Sequence, residues 1–146
     1  MRTRIAVQAE MFDLNGEIAA LADGGAGAVA SFTGHVRQDR GLTSLTLEHY
    51  PGMTEAQIAR IAADATGRWP LTGITIIHRV GVLAPGDAIV LVAAAAPHRA
   101  EAFAACEFLV DWLKTSAPFW KEEARGSDHS WVEARSGDSQ AAERWK

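Results

Sequence analysis

The sequence predicts an α+β fold with a mixed or antiparallel sheet and packed helices. Runs with the period of two that marks a strand interleave with runs of helical period. Their order reads β-α-β-β-α-β-β-α-β-β, with strands paired between helices instead of a strict βαβ repeat. Apolar residues make up 48% of the 146 and charged residues 22%, ordinary proportions for a globular core with a solvated surface. That length predicts one domain over residues 1–146, with about 136–146 as a C-terminal tail.

Arg4–Ala9 alternates weakly and reads as the first strand. Asp13 can cap a short helix ending near Leu21, before the breaker loop Asp23-Gly24-Gly25-Ala26-Gly27. Ala28–Val36, rich in small and β-branched residues, reads as the second strand, and polar Gln38–Leu42 as a loop. Thr43–Tyr50 alternates cleanly: Leu45 and Leu47 face one way, Thr46, Glu48 and Tyr50 the other. After the Pro51-Gly52 break, Thr54-Glu55-Ala56-Gln57 has the form of a capping box. The helix it opens carries Ile58, Ile61, Ala62, Ala65 and Trp69 at helical spacing and stops at Pro70.

Ile74–Val80 and Ala88–Ala96 read as strands joined through the turn signal Pro85-Gly86-Asp87. Pro97 marks a corner into a helix over about 98–115, with Phe103, Cys106, Val110 and Leu113 on its predicted buried stripe. Phe119–Glu123 and Ser130–Arg135 form a predicted hairpin around Ala124–Asp128, and the tail has helical composition up to Trp145.

Composition excludes several classes of function. The longest apolar stretch, Ala88–Pro97, is about half the ~20 residues a membrane-spanning helix needs. The N-terminus has no signal-peptide apolar core, and one cysteine cannot form an internal disulfide, so the expected location is cytoplasmic. A net charge of −4 argues against a nucleic-acid binder held by phosphate contacts. The five histidines lack metal-site spacing, and no metal or cofactor is expected. His49 and His78, inside strands, read as structural histidines.

Candidate chemistry is concentrated in cations at element ends. Cys106, on the apolar stripe of its helix, reads as a small buried hydrophobe with its thiolate disfavoured, not as a nucleophile. The Gly25–Ala30 run formally fits a dinucleotide fingerprint, but it follows a helix and opens a strand, the reverse of the required context. At Pro97-His98-Arg99 a long strand delivers an imidazole and a guanidinium to a helix N-terminus. That arrangement fits a phosphate or carboxylate site, and equally a pair of solvated first-turn residues. Lys114 at a helix end fits either a capping cation or an anion ligand. Lys121, in Pro118-Phe119-Trp120-Lys121-Glu122-Glu123, fits a desolvated base, an anion ligand or a surface lysine. With Arg37 and Arg135 these cations suggest a pocket for an anionic small molecule. A phosphohydrolase using His98 as acid and a non-catalytic binding or scaffold protein both fit such a pocket.

Longer runs add a resemblance. Ser31-Phe32-Thr33-Gly34-His35-Val36-Arg37, Leu45–Met53 (Leu-Thr-Leu-Glu-His-Tyr-Pro-Gly-Met), Ile77–Gly81, Pro97-His98-Arg99, Leu113–Lys121 and Trp131–Arg135 resemble, in order, the catalytic (large) subunits of molybdopterin synthase, the MoaE family. The match covers essentially the whole chain. It implies an α/β hammerhead fold and an enzyme that converts cyclic pyranopterin monophosphate to molybdopterin. The two sulfurs come as a thiocarboxylate on the C-terminal Gly-Gly of a small ubiquitin-like partner subunit. The implied assembly is a homodimer with a small subunit at each end, a heterotetramer. By motif, Lys114 and Lys121 match the catalytic lysines. His35-Val36-Arg37, His98-Arg99 and Lys121-Glu122-Glu123 match the pterin-binding segments, with the backbone of His35 favoured over its variable side chain. Arg135 matches an arginine that reaches the site from the other subunit of the dimer. Gln38 stands where asparagine is expected, and the loop after Arg37 is shorter than the family pattern.

Overall fold

The computed structural model describes residues 1–132 and 143–145. Eleven elements appear among them: β1 (Arg2–Gln8), α1 (Leu14–Ala22), β2 (Ala28–His35), β3 (Ser44–His49), α2 (Met53–Arg68), β4 (Gly73–Arg79), β5 (Gly81–Leu83), β6 (Ala88–Ala96), α3 (Arg99–Ser116), β7 (Phe119–Arg125) and β8 (Asp128–Val132). They form two four-stranded sheets, β1-β4-β6-β2 and β5-β3-β7-β8. The first is mixed, because β1 runs parallel to β4 while β4–β6 and β6–β2 are antiparallel. The second is antiparallel throughout.

β6 is covered on both faces, which explains its unbroken apolar run. Val90, Val92, Ala94 and Ala96 join the core made with α2 and α3, while Leu91, Ala93 and Ala95 join Phe12 and Leu21 on the α1 side. A strand buried on both sides loses the alternation of a half-exposed one. A smaller cluster, Val36, Leu42, Leu45, Leu47 and Leu83 with Ile89 packed against it, ties the second sheet to the first. Gly27 closes another junction. A Cβ there would lie 2.1 Å from the Pro97 carbonyl oxygen, so only glycine lets the chain entering β2 pass the corner that opens α3. At the far end of the chain the Trp145 ring packs on Trp69 and Phe108, and its indole N–H donates to Asp111 at 2.6 Å.

Three expectations need correction. β5 lies in the stretch read as a bare connection; its three residues pair with Leu45–Leu47 of β3, too few to show a period. The helix N-cap is Gly52, at φ +85°, not Thr54. Glu55 does reach back as a box acid, accepting from the Gly52 N–H at 3.2 Å. Thr54, the second residue of the helix, is fully buried, accepting from the Tyr50 N–H and donating to the Pro118 carbonyl. Phe103 is 65% exposed; the buried stripe of α3 is Ala102, Ala105, Cys106, Phe108, Leu109 and Leu113. The predicted end of the hairpin at Arg135, and most of the tail, lie outside the described residues. Among the described residues no helix is long and apolar enough to cross a membrane.

Candidate active site

A cavity of about 340 Å³ opens where the two sheets meet the C-terminal end of α3, a size suited to a small-molecule ligand. The end of β2 and the following loop contribute His35, Val36, Arg37 and Asp39. Lys114 comes from the last turn of α3, Lys121 and Glu123 from β7, and His78 from β4. Antiparallel pairing explains the β7 pair: Lys121 lies opposite Leu47 and Val132, and Glu123 opposite Leu45, so they share the inner face of the sheet. Lys114 and Lys121, seven residues apart across an element boundary, thus stand on the walls of one cavity.

The loop carrying Arg37 is held by a guanidinium clamp. Arg125 at the end of β7 donates to Asp39 at 3.2 Å, to the Arg40 carbonyl at 3.2 Å and to Glu123 at 3.3 Å. Thr43 adds a hydroxyl bond to the Ala124 carbonyl at 3.0 Å. The backbone of Val36 is committed to the turn before β6, its N–H donating to Asp87 and its carbonyl accepting from Gly86, both at 2.8 Å. The His35 ring bonds to the Gly86 carbonyl and the Thr33 hydroxyl, so its side chain serves the strand end.

Several candidate residues fall elsewhere. His98 and Arg99 sit at the opposite end of α3, about 24 Å along its axis from Lys114 at 1.5 Å per residue, and they do not line this cavity. The predicted helix over about 98–115 already sets them at its two ends; pooling them into one pocket overlooks its length. Glu122 points to the other face of β7, where its carboxylate lies 2.7 Å from His129 Nδ1; the period of two makes that unavoidable once Lys121 faces inward. Arg135 lies outside the described residues. Cys106 is buried, its thiol directed at the Val92 carbonyl, and burial with Glu107 nearby pushes its pKa up to about 11. It is thus a neutral core thiol, as expected.

His78 is the cavity residue that sequence reasoning passed over. It is buried, as expected, yet its ring is part of the cavity wall. Nδ1 donates to the Arg79 carbonyl at 2.8 Å and the ring stacks on Phe119 at 3.8 Å. Burial lowers its pKa to about 4, against the backbone bond at Arg79 and with help from the charges of Lys121 and Lys114. The ring is therefore neutral at physiological pH. A histidine in an apolar strand gave no sign of this; the usable signal was its place in Ile77–Gly81, one of the segments that carry the resemblance.

The profile of the MoaE protein family matches residues 7–116. The chain belongs to the MoaE family. The molybdopterin synthase catalytic subunit of Mesorhizobium japonicum is 56% identical over 97% of this chain and 92% of that protein. The solved structure of the molybdopterin cofactor biosynthesis protein E from Burkholderia multivorans superimposes with a TM-score of 0.86 at 50% identity, covering 99% of this chain and 97% of that one. Molybdopterin synthase from Staphylococcus aureus gives a TM-score of 0.81 at 31% identity over 87% of this chain and 95% of that one. The fold described above is thus the MoaE fold, and within it the cavity holds both lysines of the MoaE-like Lys-Thr-x-Ala-Pro-Phe-Trp-Lys run.

Proposed function

We propose that this chain is the catalytic subunit of a molybdopterin synthase, converting cyclic pyranopterin monophosphate to molybdopterin. Two sulfurs arrive as thiocarboxylate on the C-terminal Gly-Gly of a small ubiquitin-like partner. The observation that carries this reading is the convergence of Lys114, Lys121 and Arg37 on one cavity in a MoaE-family chain. The buried neutral Cys106 agrees with sulfur brought from outside.

In each transfer the thiocarboxylate sulfur bonds to a substrate carbon as an oxygen substituent of that carbon leaves with the bonding pair and takes up a proton, and water then cleaves the acyl–sulfur bond. The tail departs as a carboxylate and the sulfur stays on the pterin. Negative charge gathers on the acyl oxygen during that cleavage, and Lys114 and Lys121 are placed to meet it. Arg37 holds the phosphate, a permanent cation on a clamped loop. His98 and Arg99, remote from this cavity in their own chain, serve the cavity of a second copy in a homodimer, as does Arg135. A side-chain-free Gly-Gly tail binds through backbone hydrogen bonds and a separate docking patch, so the complex weakens only modestly with salt.

The test is incubation of the full chain with cyclic pyranopterin monophosphate and a thiocarboxylated partner. Dithiolene product is expected. Release of free phosphate without sulfur transfer would make the protein a phosphohydrolase; binding without turnover would make it a carrier.

A further inference from the structure

The geometry points to His78 as a substrate-orienting residue, its unprotonated Nε2 accepting a hydrogen bond from an N–H or O–H of the pterin. This rests on the functional reading above and adds a role that the lysines and arginines cannot fill. The Arg79 carbonyl can only accept, so the proton of the neutral ring is on Nδ1 and Nε2 carries a bare lone pair. The bond to Arg79 and the stack on Phe119, with planes 17° apart, hold the ring against rotation, and the residue is only 7% exposed. Among the described residues Nε2 makes no hydrogen bond, while the side chain lines the cavity that Lys114 and Lys121 also line.

A buried acceptor of this kind selects its partner by chemistry. The substrate's cyclic phosphodiester and the partner's thiocarboxylate bring no proton at neutral pH, and a lone pair repels them. The pterin ring system brings N–H donors, and its pyran part brings hydroxyls. The carboxylates that line the cavity, Asp39 and Glu123, each already take a bond from Arg125. Cations therefore hold the anionic groups, and His78 holds a donor on the heterocycle. Two contacts of opposite polarity fix a rigid fused-ring ligand in one orientation, where cations alone would let it pivot about its phosphate.

Two measurements on the full chain test this. The first is equilibrium binding of cyclic pyranopterin monophosphate, with inorganic phosphate as competitor, to wild type, His78→Phe and His78→Gln. One lost hydrogen bond of about 1.4 kcal/mol corresponds to a tenfold change in affinity. His78→Phe, which keeps a stacking ring, is expected to weaken pterin binding about tenfold and leave phosphate competition unchanged, with partial recovery in His78→Gln through its amide oxygen. Wild-type pterin affinity in folded His78→Phe overturns the proposal, as does an equal loss of pterin and phosphate binding. The second measurement needs no variant: ¹⁵N spectra of histidine-labelled wild type. Nε2 should be unprotonated and bonded to no protein group in the ligand-free protein and should move on adding pterin but not phosphate. A protonated Nε2, or one already bonded to a lysine, overturns the proposal. A wild-type chain that binds phosphate but never pterin overturns the functional reading instead.

Discussion

The two sheets have four strands each and divide the work differently. In β1-β4-β6-β2 the central strands are sealed by α2 and α3 on one side and α1 on the other, and seven of the nine residues from Ala88 to Ala96 are at 4% exposure or less. In β5-β3-β7-β8 only the inner face is covered; Trp120, Trp131 and Val82 on the other strands' surfaces stay exposed. The lysine and the carboxylate that strands bring to the cavity, Lys121 and Glu123, come from this second sheet, while the first contributes two histidines, His35 and the neutral His78. A sheet sealed on both faces cannot keep a charged side chain at a modest cost. A one-sided sheet has room for Lys121 and Glu123 at its edge with solvent. The difference suggests a scaffold whose failure costs folding and a site whose failure costs chemistry.

The largest expected effect breaks the scaffold side. Leu91→Ala, at a residue with no exposure, should destabilise the fold by about 2–5 kcal/mol in urea unfolding, with the saturated turnover of the folded fraction unchanged. If turnover per folded molecule fell too, the division between the sheets would be wrong. Lys114→Ala should do the reverse. A single-turnover rate at saturating pterin reduced ~10²–10³-fold is expected, with thermal stability nearly that of wild type. A saturated rate equal to wild type, reached only at higher pterin concentration, would make Lys114 one more phosphate ligand. Arg37→Ala is expected to act mainly on that concentration.

Acid should expose the seam between the sheets, where His78 of β4 stacks on Phe119 of β7. The folded ring titrates near 4 and an unfolded histidine near 6.5, so the unfolded chain takes up the proton first. Stability from this residue is complete above pH 6.5 and drains as pH falls, reaching a loss on the order of 3 kcal/mol at pH 4. Urea unfolding of wild type and His78→Phe across that window should show a shallower pH slope in the variant; parallel slopes would refute the assignment. The smallest effect belongs to Cys106→Ala, a truncation worth ~1–3 kcal/mol that should spare turnover. An inactive, folded variant would reinstate a persulfide route.

Much of this division was legible in the sequence. Alternation at Leu45 and Leu47 located the inner face of β3, and the structure's pairing of β3 with β7 then put Lys121 on that side. The apolar run of β6 reads as a strand, and its lack of alternation is what a strand buried on both faces shows. The spacing of Cys106 put it in the core. What sequence could not supply was distance between elements and local context. His98 and Arg99 on one side and Lys114 on the other were readable as the two ends of one helix, but which end borders a cavity depends on how the sheets pack around it. Phe103 has the spacing of a core residue, yet its face of α3 carries no covering element among the described residues. Three-residue β5 is shorter than the window in which a period can be recognised. His78 was read correctly as buried, and that reading hid its second surface.

Arg125 makes the entrance to the cavity an extension of the second sheet. One planar group binds a loop carboxylate, a loop carbonyl and a strand carboxylate together, so the loop bearing Arg37 is already ordered before any ligand arrives. A ligand meeting such an entrance need not organise it, and the entropy of loop ordering does not count against its affinity. The clamped loop thus makes a threshold that stands ready, so that encounter, and not closure, governs how fast the cavity fills.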